Sequence, residues 1–95
     1  MKQDHAEAMK WYRLAAGQGL ISAQLILGVM YEEGHGVKPD NVQAHKWFDL
    51  AAAHSRSSGT EDHDLAIKRR DLVAAKMTPA QIEEAQRLAR EWKPE

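Results

Sequence analysis

The side chains able to do chemistry in this 95-residue sequence are five histidines, one basic run and a few carboxylate clusters. The histidines are His5, His35, His45, His54 and His63. His45 and Asp49 stand four residues apart, and Glu61-Asp62-His63-Asp64 gathers carboxylates around an imidazole. A metal needs several such ligands converging at a suitable spacing. Neither group has the His-Glu-x-x-His pattern that places two imidazoles on one helix face. Solvent-facing histidines and an acidic helix start, which complements the helix dipole, account for both groups. Lys68-Arg69-Arg70 is surrounded by Glu61, Asp62, Asp64 and Asp71 and has no interleaved aromatics, so it reads as a solvated helix face. Nucleophilic catalysis has no cysteine and no Ser-x-x-Lys to start from. Gly34-His35-Gly36 is too short to cradle a phosphate. No enzyme activity, metal or cofactor is expected, and a metal-binding protein or hydrolase is the least favoured reading.

The composition points the same way. Hydrophobic residues make up 43% and charged residues 28%, a globular balance, and the abundance of Ala over β-branched residues favours helix. A formal net charge of −1 gives nucleic acid no general attraction. The absence of cysteine favours a reducing compartment. Met1-Lys2-Gln3-Asp4-His5 lacks the apolar run of a signal peptide. The longest apolar stretch, Leu25 to Tyr31, is too short to span a bilayer. A soluble chain is expected, cytoplasmic if the sequence is complete and not the remainder of one whose signal peptide was removed, with neither nucleic acid nor membrane as partner.

What the sequence does contain is a repeat. Ala8-Met9-Lys10-Trp11-Tyr12-Arg13-Leu14-Ala15-Ala16 recurs 36 residues later as Ala44-His45-Lys46-Trp47-Phe48-Asp49-Leu50-Ala51-Ala52. Asp4 and Asp40 match at the same offset, and each precedes a Glu or Gln by three residues (Glu7, Gln43), the spacing of an N-cap with its capping box. Caps and core positions keeping one register argue for a repeated structural unit. Ala8, Trp11 and Ala15 have helical spacing, and Gly17 and Gly19 stop that helix. Residues 21–33 are apolar nearly all round, so that helix must be covered on several sides. Gly34 to Pro39 then turns the chain into the Asp40 cap.

The positions Ala8, Trp11, Tyr12, Ala15, Ala16, Gly19, Ala23, Leu27, Gly28, Met30, Tyr31, Gly34, Gly36, Val37 and Asp40 resemble the Sel1-like repeat, a relative of the tetratricopeptide repeat. The resemblance implies right-handed stacks of antiparallel α-hairpins that act as adaptors in multiprotein assemblies. It is close over 4–40, good over 40–53 and weaker beyond. The expected fold is therefore an all-α right-handed α-hairpin solenoid forming a single domain. Repeat one covers 4–39, a degenerate repeat two covers 40–77, and a capping helix and tail cover 78–95. Helices are expected near 5–17, 21–33, 41–53, 64–77 and 79–92.

The degenerate half sets further expectations. A polar loop from His54 to His63 precedes the fourth helix, whose narrow stripe of Leu65, Ala66, Leu72, Val73 and Met77 suits the end of a stack. Thr78-Pro79-Ala80-Gln81 starts the last helix, and Ile82, Ala85, Ala89 and Trp92 form the face that seals the core. Trp11 and Trp47 are both expected to be buried, filling equivalent spaces between helices. Gly28 is expected to let backbones approach closely.

In tetratricopeptide-like stacks the first helix of each pair lines the concave face. The residues there that packing does not require are Lys10, Arg13, Lys46, Asp49, Glu7 and Gln43, together with Gln18. Equivalent lysines at 10 and 46 suit an acidic or C-terminal peptide. The expected function is a protein–protein interaction module that binds a protein or peptide partner there. The alternative is a structural or self-associating terminal cap of a longer array. It would act through the N-terminal face, which nothing covers.

Overall fold

A computed structural model describes residues 4–55 and 61–94, so the middle of the expected His54–His63 loop lies outside the described residues. Among the described residues the chain forms five α-helices and no strand. They are α1 (His5–Gly17), α2 (Ile21–Glu33), α3 (Asn41–Ser55), α4 (Glu61–Ala74) and α5 (Pro79–Glu91). The expected α4 begins three residues late, because Glu61-Asp62 already form its first turn, where carboxylates face the positive end of the dipole.

Local chemistry sets the helix ends. Asp4 accepts from the backbone N–H groups of Ala6 and Glu7, and Asp40 accepts from that of Gln43. Thr78 and Gln81 exchange both bonds of a capping box, with Pro79 opening the helix. Gly34 ends α2 in the left-handed region at φ +80°. Gly36, at φ +81°, passes so close to the His5 carbonyl that any Cβ would collide with it.

α1 and α2 form one hairpin and α3 and α4 the second, and α2 packs directly on α3. The result is a helical solenoid with α3 at its centre, against α2, α4 and α5. Two buried clusters follow. Met9 and Ala16 of α1, Ala23, Leu27 and Met30 of α2, and Trp47 and Leu50 of α3 make the first, with Ala89 and Trp92 of α5 packed against it. Leu25, Ala44, Phe48, Ala51, Ala52, Ala66 and Val73 make the second. Gly28 matters to both. The Phe48 ring lies where its Cβ would be, which brings α2 and α3 together.

Two expectations about burial are corrected. Trp47 is 5% exposed as expected, but Trp11 is 61% exposed. The side of α3 that carries Trp47 meets the first hairpin and Trp92, whereas no described element lies over the same side of α1. On α4, Ala66 and Val73 point inward while Leu65 (43%) and Leu72 (52%) stay exposed. Adjacent residues on a helix are turned by about 100°, so one stripe or the other can face α3, and the small residues permit the closer approach.

Candidate partner-binding surface

The α1–α3 register decides which polar residues share a surface. Arg13 from α1, Tyr31 from the last turn of α2, Gln43 and Lys46 from α3, and Trp92 and Lys93 at the end of α5 line one groove of about 280 Å³, floored by Trp47. The Arg13 guanidinium donates to Tyr31 Oη at 2.7 Å, which holds it against α2. Lys46 Nζ lies 4.4 Å from the centre of the Trp47 ring, a cation–π contact. Trp92 meets that indole edge-on, with centroids 6.2 Å apart. Burial pulls the Lys46 ammonium below the usual lysine range, and the positive charge of Arg13 adds to this.

A second hollow of about 350 Å³ lies along α1, between Ala6, Met9, Lys10, Arg13 and Leu14 and the loop residues Gly36 and Val37. Arg13 lines both hollows. Among the described residues no carboxylate lines either one. Among the described residues, Lys10, Arg13, Lys46 and Lys93 have no acidic partner within the chain. The surface is therefore positive with aromatic walls, suited to an anionic group carried on an apolar or aromatic frame.

Of the six residues proposed from sequence, Arg13, Gln43 and Lys46 meet in the groove, and Lys10 lies in the adjoining hollow. Asp49 instead pairs with Arg70 at 3.2 Å and ties α3 to α4. Glu7 sits exposed in the first turn of α1, its backbone N–H held by Asp4. Tyr31, Trp92 and Lys93 were not singled out. Tyr31 is one of the positions that resemble the Sel1-like repeat, which could have signalled it, but nothing local marks the α5 terminus as reaching α3.

The remaining polar chemistry is largely internal. Arg69 and Lys76 approach Glu32 at 3.8 and 3.5 Å, so most of the basic cluster on α4 is spent on contacts with α2 and α3. Buried Gln24 donates to the Ala16 carbonyl and accepts from His54. The His5 and His35 rings lie tilted against each other with centroids 4.9 Å apart, and Glu33 bonds His35. Among the described residues no three His, Asp or Glu side chains gather as metal ligands, and no helix is long and apolar enough to cross a membrane.

The comparisons agree with this architecture. The chain superposes with a TM-score of 0.85 and 35% identity on the crystal structure of a protective antigen present in uropathogenic Escherichia coli strains, which displays an SLR fold. The match covers 97% of this chain and 18% of that one, so the chain spans less than a fifth of that antigen's length. A search of curated proteins finds no significant match. The profile of the Sel1 repeat matches residues 1–20 and 21–55. Repeats of this kind generally serve as protein–protein interaction modules and are typically non-enzymatic scaffolds. With two hairpins in repeat register and the profile covering more than half its residues, the chain belongs to the Sel1 repeat family.

Proposed function

We propose that this chain is a protein–protein interaction module that holds an acidic protein or peptide partner on its concave helical face. The observation that carries the reading is the pair of hollows that share Arg13 and are lined by Lys10, Lys46 and Lys93 and, among the described residues, by no carboxylate. Four cations without an acidic partner among the described residues repel one another, and an anionic partner relieves that repulsion. The aromatic walls add apolar contact beneath the charges.

The test is a partner recovered by pull-down and titrated against wild type and a Lys10→Glu, Lys46→Glu double variant. Binding should weaken by about 1–3 kcal/mol and fall further with added salt, because these charges are at least partly exposed. Circular dichroism should show the fold intact. Equal affinities with intact folds would move the contact elsewhere, first to the hollow bounded by His5, Tyr12, Ile26 and Met30.

A second reading, a structural cap that self-associates through the N-terminal face, is favoured by the 61% exposure of Trp11. Light scattering over a concentration series separates the two. A monodisperse monomer throughout would rule out self-association.

A further inference from the structure

The chain already holds one helix across a first helix of its repeats. α5 lies on α3, where Asp49, Leu50 and Ala53 share a hollow with Gln86, Ala89 and Arg90. Ala89 and Trp92 pack on the cluster that contains Leu50 and Trp47. Thirty-six residues earlier, the positions of Asp49, Leu50 and Ala53 are held by Arg13, Leu14 and Gly17 of α1. There the same seat is open. Leu14 is 44% exposed where Leu50 is 5% exposed, and the hollow of about 350 Å³ beside Lys10 and Arg13 lies along it.

We propose that this seat on α1 takes an amphipathic α-helix from a partner protein, laid on α1 as α5 is laid on α3. The chemistry of the partner follows from the differences between the two seats. Leu14 and Val37 supply apolar contact, so the docking face needs small residues four apart followed by an aromatic, the pattern of Ala85, Ala89 and Trp92. The charge is reversed. α5 brings Gln86 and Arg90 beside Asp49, whereas the hollow on α1 is lined by Arg13 and Lys10 and, among the described residues, by no acid. The partner helix therefore carries Asp or Glu at the places of Gln86 and Arg90. This rests on the reading of the basic face as the partner surface, and it specifies a helix rather than an extended peptide.

The probe is a synthetic helix of residues 78–94 with Gln86→Glu and Arg90→Glu, stapled between positions 83 and 87 on the side away from Ala85 and Ala89. A stapled helix of unchanged sequence is the control. Titrated against the full 95-residue chain, the acidic helix should bind saturably and at least about tenfold more tightly than the control. Leu14→Asp and, separately, Arg13→Glu in the chain should each weaken it by about tenfold or more. Both positions are exposed, so melting curves should confirm folded variants.

No saturable binding of the acidic helix up to about 1 mM would overturn the proposal. So would undiminished affinity in Leu14→Asp, which would place the helix on α3 in exchange for α5. Control binding as tight as the acidic helix would also overturn it and point to α5 of a second copy. If the stapled helix fails while the Lys10→Glu, Lys46→Glu variant still loses a pulled-down partner, the basic face stands and the helical ligand falls.

Discussion

His45 occupies in α3 the place that Met9 occupies in α1, and both are buried. Its Nδ1 has no hydrogen-bond partner among the described residues, a cost the thioether of Met9 does not carry. Burial pushes the imidazole below its ordinary value of 6.5, Arg70 pushes it the same way, and Asp49 and Asp71 oppose. A histidine whose pKa is depressed by folding stabilises the fold fully above the unfolded pKa. That contribution is lost as the pH falls through the folded value. His45→Met should therefore flatten the decline in melting temperature between about pH 7 and pH 5, and at neutral pH should match or exceed wild type by about 1 kcal/mol. An unchanged acid slope would rule out His45 as the source. Gly28 gives a second sharp test. In an open helix Gly→Ala stabilises by about 1 kcal/mol. Here the new Cβ would sit 2.5 Å from the fully buried Phe48 ring, so Gly28→Ala should instead destabilise by about 1–3 kcal/mol in denaturant titrations. Adding Phe48→Leu should make the alanine less costly.

α1 and α3 share most of one sequence and differ in their surroundings. α3 is enclosed by α2, α4 and α5, whereas α1 has its principal packing against α2. The same tryptophan therefore does different work in each. Trp47→Ala should cost about 3–5 kcal/mol, since it empties the space between the first hairpin and Trp92. Trp11→Ala should change stability by less than about 1 kcal/mol, because its side chain is mostly in water already. Paired denaturant melts decide this, and equal losses would contradict the placement of α1. The element that creates the asymmetry is α5, which brings Ala89 and Trp92 onto α3.

α3 feeds both buried clusters, Trp47 and Leu50 into one and Phe48, Ala51 and Ala52 into the other. Neither cluster survives if α3 leaves, so the two hairpins should unfold together. Trp47→Ala and Val73→Ala strike different clusters, yet each should move the far-ultraviolet dichroism and tryptophan fluorescence transitions as one. Transitions that separate for either variant would show two independent units. Cooperative coupling also bears on the basic face. Its walls come from α1, α2, α3 and the end of α5, so it exists only when both hairpins are folded together.

The helices, their caps and the glycine turns were legible in the residue order because each depends on neighbours within a turn or so. Asp4 reaches Glu7, Thr78 reaches Gln81, and Gly34 needs only its own φ. The cations of the candidate surface were legible for a related reason. Lys10 and Lys46 recur at the repeat spacing, and with Arg13 they lie on helix faces that the apolar periodicity leaves free. Burial was not legible where it depends on what lies across the gap. Trp11 and Trp47 stand in nearly the same sequence, and the difference between 61% and 5% exposure comes from the first hairpin and α5 packing on one of them. The same holds for Asp49, which Arg70 claims from 21 residues away, and for Trp92 and Lys93, which α5 carries into the groove. Such contacts arise when separate helices meet, and no periodicity within one helix encodes its partner.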